Sequence, residues 1–516
     1  MPFRLKRVIF FTKGAVPHEA HRYYQERKCK SSKNMSELKN LQPADVFYYF
    51  DKICSIPHGS FHTKAISDYC VNVAKEKGLR CIQDASNNVI IFKDGTKGYE
   101  NSAPVIIQGH LDMVCEKNSD CSIDFEKDGL TLIVEDDIVR ADGTTLGADD
   151  GIAVAYALAI LTSDTIEHPP LEVILTSEEE VGLLGATALD TSEIKGRIML
   201  NLDSEEEGSF LVGCAGGIRM DCITPMNHMT DMAVRYNVSI TGLTGGHSGA
   251  EIDKWRANSN QLAGRLLYRL DNQCEFWIAD IKGGLKDNAI PVQTDMVLYV
   301  TLRDCETFEE TIRTVESELK HEYSVTDPNL TITFKRGPEE ISRMLDTRSS
   351  GMVIFLLMNY PGGIQRMSSS IPGLVETSLN LGILYLNERE LHCSFSLRSS
   401  VGSSKEALID KLVFLTEFTG GRCEFSGDYP AWEYREESPL REQAVALYRE
   451  MYGKDCSVNA IHAGLECGIF SNKLPGLDCI SYGPDIIDIH TPRERMHISS
   501  VKRVYEFTLE LLKRLK

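Results

Sequence analysis

Apolar and polar positions along this chain fall into short β-type runs alternating with longer helical stretches. Gln42 to Ile56 reads as a helix ending before Pro57. His62 to Lys77 reads as a second, with Ile66, Tyr69, Val73 and Ala74 on one face. Asn88 to Lys93 and Pro104 to Gln108 read as strands, the latter running into Gly109-His-Leu-Asp-Met-Val114, and Asp128 to Arg140 suggests a hairpin region. Ile152 to Leu161 is apolar on nearly every side, which predicts a buried helix. Leu171 to Leu175 is an apolar strand that stops in Glu178, Glu179, Glu180 and Gly182. Arg197 to Asp203 is another strand ending in a carboxylate. Strands alternating with helices predict an α/β domain whose mixed, largely parallel sheet is flanked by helices. Ligands of such sheets sit beyond the carboxyl ends of strands, and three of the acidic motifs fall there.

The pattern changes after about residue 215. Asn237 to Gly242 and Met296 to Leu302 alternate like half-exposed strands, with Ala257 to Leu270 as a helix between them. Leu330 to Phe334, Leu379 to Leu386 and His392 to Leu397 are further strands, and Ser404 to Thr416 is a further helix. An inserted α+β domain over residues 216–431 is expected. From about Trp432 the first pattern returns. Ser438 and Pro439 supply a cap and a proline at the first helical position, opening a helix to Tyr452. A strand at Asp478 to Tyr482, a loop with His490 and a helix from Ser499 close the chain. The first domain is thus expected in two parts, 35–215 and 432–516. Residues 1–34 are basic from Arg4 to Lys33, with only Glu19 and Glu26 against them. Their apolar run, Val8 to Thr12, is too short for a signal-peptide core, and the two acids count against a transit peptide. They read as an extension without a catalytic role.

Composition narrows the classes. At 516 residues, two domains are the prior. With 55 basic against 75 acidic residues the net charge is −20, which argues against nucleic acid or an anionic membrane as partner. The 15 cysteines are scattered without a paired CxxC spacing and read as reduced thiols of a cytoplasmic protein. No apolar run approaches the roughly 20 residues that span a bilayer.

The chemistry concentrates at strand ends. His110 and Asp112 are two apart, so they point to the same side, as a zinc-type ligand and its supporting carboxylate would. Asp149 and Asp150 open the apolar helix, where a helix cap accounts for one aspartate but not two. Glu178 to Glu180, Asp203 and His490 each have a plainer alternative, a solvated turn or a structural histidine. As a set they match a pair of divalent ions clamped by a shared carboxylate, with one further carboxylate left to move a proton.

The chain resembles the aminoacyl-histidine dipeptidases (Xaa-His dipeptidases, PepD type) of the dinuclear zinc exopeptidases from about Met35 to its end. The resemblance rests on Gly109-His-Leu-Asp-Met-Val, Leu146-Gly-Ala-Asp-Asp-Gly, Thr176-Ser-Glu-Glu-Glu-Val-Gly, Asn201-Leu-Asp-Ser-Glu-Glu-Glu-Gly and His490-Thr-Pro. Gly245-Gly-His-Ser-Gly, Asn288-Ala-Ile-Pro, Val375-Glu-Thr-Ser-Leu-Asn-Leu-Gly and Ile461-His-Ala-Gly-Leu-Glu-Cys-Gly add to it. It implies two divalent ions per chain, zinc first and cobalt or manganese as substitutes. Asp149 would bridge them, His110 and Asp203 would complete one site, and Glu180 and His490 the other. Asp112 would orient His110, and Glu179 would be the general base, with Glu178 as the fallback if the register shifts by one. The inserted domain would act as a lid. Its His247 would stabilise the oxyanion, from this chain or from a homodimer partner joined through the lid. Asn288 and Arg398 would hold the substrate's terminal carboxylate, and Glu466 its amine. The implied activity is hydrolysis of Xaa-His dipeptides, β-Ala-His included. The alternatives are a broad-specificity dipeptidase, an N-acyl amino acid amidohydrolase of the same superfamily, and an inactive metal- or peptide-binding protein.

Overall fold

The computed structural model describes residues 37–516. The expected extension over 1–34 lies outside them. Eight strands form one mixed sheet in the order Arg80–Gln83, Val89–Lys93, Leu171–Thr176, Val105–His110, Ile198–Asn201, Asp478–Ser481, Ser209–Cys214 and Ser457–Ile461. Leu171–Thr176, Val105–His110, Ile198–Asn201 and Asp478–Ser481 run parallel, so their carboxyl ends line one edge of the sheet. The first two strands in the order are antiparallel to their neighbours.

Alternation along the central strands divides their side chains between two cores. Val105, Ile107, Leu171, Val173 and Leu175 join one hydrophobic cluster, while Ile106 and Ile174 join the other. The larger cluster holds the helix Ala148–Thr162, buried from Ala148 to Leu161 as its apolar composition predicts, beneath Ala44–Cys54, Lys64–Glu76, Pro439–Tyr452 and Ile498–Arg514. The other face is covered by the short helices Leu184–Ala188 and Glu466–Lys473. Ser438 caps its helix as expected, its Oγ accepting from the Arg441 amide at 3.1 Å. Most expected elements are present with ends displaced by a few residues. The first helix, for instance, starts at Ala44 because Pro43 stands in the cap position.

A second sheet of nine strands is antiparallel along its main path from Thr331–Leu345 at one edge to Arg422–Tyr429 at the other. The helices Ser259–Asp271, Cys305–Glu322, Thr347–Asn359 and Gly402–Phe418 share a single core with it. This unit is inserted into the first. The chain enters and leaves it side by side, with Cys214 and Trp432 exchanging two main-chain hydrogen bonds of 3.0 and 3.1 Å. Gly216 fits there because a Cβ would lie 2.5 Å from the Ala431 nitrogen. The strands Gly216–Pro225 and Ser457–Ile461 carry too many glycines or polar residues to stand out in the sequence.

A small third sheet fixes the last candidate loop. Ile486–Ile487 pairs antiparallel with Arg495–His497, which pairs with Ile138–Ala141 of the expected hairpin. Residues 488–494 are therefore the connection of a pinned hairpin. Among the described residues no helix is long and apolar enough to cross a membrane, and the cysteines are free thiols.

Ile160 is 0 % exposed in the buried helix. Replacing it with Ala should cost about 2–5 kcal/mol through lost burial and a residual cavity, read as a lower urea midpoint. An unchanged midpoint would mean that the helix does not carry the core.

Candidate metal centre

The parallel strands deliver their chemistry to a common edge. Val105–His110 ends in His110. The turn after Leu171–Thr176 carries Glu178 to Glu180, the turn after Ile198–Asn201 carries Asp203, and the hairpin connection after Asp478–Ser481 carries His490. Asp149 and Asp150 enter from the start of the buried helix. Gly109 is what lets strand and helix approach, since a Cβ there would meet Asp150 Oδ2 at 2.5 Å and Ala153 Cβ at 2.7 Å.

Asp149 lies at the centre. Its Oδ1 is 3.2 Å from His110 Nε2 and its Oδ2 is 3.1 Å from His490 Nε2. His490 Nε2 is also 2.9 Å from Glu180 Oε1, and His110 Nε2 is 3.6 Å from Asp203 Oδ1. His110 Nδ1 donates to the main-chain oxygen of Asp112 at 2.9 Å, which leaves its Nε2 lone pair facing the two carboxylates. Ligand atoms of His110, Asp149 and Glu180 lie within 4.8 Å of one another, as do those of His110, Asp150 and Asp203. Asp150 is the less available of the two adjacent aspartates, because its Oδ2 accepts from the His110 amide at 3.0 Å.

The electrostatics describe a concentration of buried negative charge. Burial, reinforced by neighbouring carboxylates, pushes Asp150 and Glu179 well above the usual carboxylate range and raises Glu180 and Asp203. Burial acts the same way on Asp149, but His110 and His490 outweigh it and hold that carboxyl below its ordinary value. Burial lowers His110, yet Asp112, Asp149 and Asp203 outweigh it and leave the ring well above its ordinary value. His490 is lifted to about 10 by Asp149 and Glu180. Imidazole nitrogens and carboxylate oxygens thus converge on shared points that protons or cations must occupy. This N/O donor set fits zinc-type divalent cations.

The three consecutive glutamates part ways. Glu178, at φ +55°, turns aside to accept from the Phe61 amide and, at 2.8 Å, from the Thr63 hydroxyl. Glu179 and Glu180 are aimed by Asp112, whose Oδ1 accepts from the Glu179 amide at 2.9 Å and Oδ2 from the Glu180 amide at 3.3 Å. The Asp112 carboxylate is 3.5 Å from His110 Nδ1, farther than its own main-chain oxygen. Among the described residues none hydrogen-bonds the Glu179 carboxylate. Glu466 is fully buried and accepts from Gln108 Nε2 and, at 2.6 Å, from Thr176 Oγ1, while its Oε1 has no partner. Burial lifts it to about 8.

The inserted unit holds a separate group. His247 Nδ1 accepts from the amides of Gly249 and Ala250 at 3.1 and 3.0 Å, so its proton is on Nε2. Burial and the nearby Arg398 lower its pKa, favouring the neutral ring. Arg398 Nη1 donates to the Tyr429 hydroxyl at 2.9 Å, and its Nε is buried without a partner. Both side chains crowd Gly249, whose Cβ would lie 2.9 Å from Arg398 Nε and 3.0 Å from His247 Cε1. Asn288 is exposed and receives the Ser248 amide on its main-chain oxygen at 2.9 Å. Among the described residues no hydrogen bond or ion pair joins His247, Asn288 or Arg398 to the cluster around Asp149.

Two acidic residues lie outside the expected set. Asp150 braces His110, as above, and neither aspartate caps the buried helix. Its N-cap is Gly147, and the amides there are taken by Glu494. The motif Ile489-His-Thr-Pro-Arg-Glu494 contains that glutamate, but nothing in it points to a segment 346 residues away.

Known proteins are similar to this chain in sequence and fold. The model of "Peptidase family M20/M25/M40" matches residues 106–514. A cytosol non-specific dipeptidase of Escherichia coli (strain K12) is 38% identical over 486 residues, covering 93% of this chain and 99% of that protein. The crystal structure of an aminoacylhistidine dipeptidase from Vibrio alginolyticus is 35% identical with a TM-score of 0.87, covering 93% of this chain and 98% of that one. Aminopeptidase PepT of Bacillus cereus shares the fold at 15% identity and a TM-score of 0.53, over 92% of this chain and 99% of that one.

Glu178→Ala should release the Phe61 amide and the Thr63 hydroxyl, lowering the melting temperature by the equivalent of about 1–3 kcal/mol while turnover is largely retained. Loss of turnover in a variant of unchanged stability would contradict its separation from Glu179.

Proposed function

The chain belongs to peptidase family M20/M25/M40, and from that premise we propose that it hydrolyses dipeptides at a pair of divalent cations, zinc first. The observation that carries this reading is Asp149, with one oxygen toward His110 and the other toward His490. His110 and Asp203 would hold one cation, Glu180 and His490 the other, and Asp149 both. Cobalt or manganese suits the same donors. Cations bound there would acidify a water and polarise the scissile carbonyl.

The chain's own groups do the rest. Glu179, whose carboxylate has no hydrogen-bond partner among the described residues, takes the water's proton and passes it to the leaving amine. Asp112 holds the turn that aims Glu179 and Glu180. The lid, taken as residues 216–431, brings His247, whose Nε2–H donates to the developing oxyanion. Arg398, with Asn288, pairs with the substrate's terminal carboxylate. Glu466 would hold the amine if the site opens around it, since its unpartnered oxygen is closed to solvent here. The same reading includes a homodimer through the lid and a cytoplasmic location, and the name of the E. coli relative supports the location alone.

Glu179→Ala should keep two cations and lose about 10²–10⁴-fold in kcat. Retained turnover would remove Glu179 as the base.

Clamping both ends selects length, since a longer peptide would leave a terminal charge buried and unpaired, at a cost of several kcal/mol. Preference for a C-terminal histidine is supported by the Vibrio relative's name and opposed by the E. coli relative's. We expect Ala-His to exceed Ala-Leu in kcat/KM and both to exceed Ala-Ala-Ala-His. Equal rates on the two dipeptides would leave a broad dipeptidase, and efficient tetrapeptide cleavage would remove the two-ended clamp.

A further inference from the structure

The start of the buried helix presents amides that have no partner within the helix, and no side chain of its own first turn caps them. They are taken from far along the chain. Glu494 Oε2 accepts from the amides of Leu146 at 2.7 Å and Gly147 at 3.0 Å, and Oε1 from those of Ala148 at 2.8 Å and Asp149 at 3.4 Å. Glu494 is 2 % exposed. Successive amides converge in this way because Gly147 adopts φ +65°, where a side chain is strained and a Cβ would meet Met113 Sδ at 2.7 Å.

Glu494 and His490 belong to the same hairpin connection, held by the pairing of Ile486–Ile487 with Arg495–His497. They grip one segment in two ways. Glu494 holds its main chain through Asp149, while His490 Nε2 faces the Asp149 side chain at 3.1 Å. The separation between the bridging carboxylate and the histidine is thereby fixed by a second, covalently connected contact.

We infer that Glu494 is a positioning residue of the dinuclear centre: its carboxylate, clasped by four main-chain amides, locks the Asp149 segment to the His490 loop and so sets the geometry in which both hold metal. This rests on the cation pair proposed above. Glu494 touches neither cation nor substrate in that scheme. Glutamine cannot replace it, because one of its ends would present an N–H group to amide N–H groups. Aspartate keeps the charge but is one methylene short of spanning the four amides.

The test uses the full chain, stripped of metal with a chelator, freed of the chelator and titrated with zinc. Wild type, Glu494→Gln and Glu494→Asp are compared for stoichiometry, dissociation constants, circular dichroism and melting temperature. Wild type should take two ions. Folded Glu494→Gln should bind at least one of them about 10–100-fold more weakly, the usual effect of removing a group that orients ligands, with Glu494→Asp between. A merely structural role would lower the melting temperature and leave the zinc affinities of the folded protein unchanged, which would overturn the inference. If the glutamine variant does not fold, the aspartate variant carries the comparison. If neither folds, Glu494 belongs to the fold and the inference falls. A wild type that takes up no ion pair would remove the underlying reading as well, whereas two ions bound equally well by all three proteins would remove only the role of Glu494.

Discussion

Buried negative charge is the constraint on which the rest of the structure depends. Asp112, Asp149, Asp150 and Asp203 lie within a region almost closed to solvent, with Glu179 and Glu180 beside them. Taking a carboxylate out of water costs several kcal/mol unless something positive or a donor meets it. The fold meets part of that cost with its own donors. Asp112 takes two main-chain amides and the Ser60 hydroxyl, and Asp150 takes the His110 amide. Asp149, Asp203 and Glu180 turn instead to the two imidazoles, and that remaining charge is what a pair of divalent cations would neutralise. The neighbouring apolar helix and the parallel strands supply the rigidity that keeps so many like charges together.

Much of this was legible in the sequence, for a physical reason. Val105 to His110, Leu171 to Thr176 and Ile198 to Asn201 are apolar runs that stop at a polar residue, so the strand, its direction of exit and its chemistry are written together. The helix at Ala148–Thr162 could be read from the lack of any polar face. Contacts distant in sequence were not legible. Three consecutive glutamates offer no period that tells which one faces the site, and it is the Phe61 amide and Thr63, more than a hundred residues away, that draw Glu178 aside. The same holds for Glu494, which replaces a local cap by one from the far end of the chain. The spacing of Asp112 and His110 suggested a carboxylate paired with the ring, whereas the nearer contact to His110 is the Asp112 main-chain oxygen and the carboxylate accepts from the glutamate turn, which depends on how two strand ends meet.

The inserted unit follows a different logic. Its antiparallel strands carry Arg398 and the short pairing of Gly246–His247 with Ala289–Ile290. His247 is fixed as a neutral donor by two amides, and Arg398 is held by Tyr429 on the edge strand that leads back to the first sheet. On the proposed reading the two units divide the work: one fixes the cations and the proton carrier, the other the groups that recognise charge on the substrate. The paired connections at Cys214 and Trp432 are where their relative position is set.

The central claim is that Asp149 is shared by two cations. Anomalous diffraction from crystals grown with zinc, recorded on both sides of the zinc edge, measures this directly. The account predicts two peaks per chain about 3.5–4 Å apart, one beside His110 and Asp203, the other beside His490 and Glu180, with an Asp149 oxygen on each. A single peak, or two peaks that do not share Asp149, would contradict it.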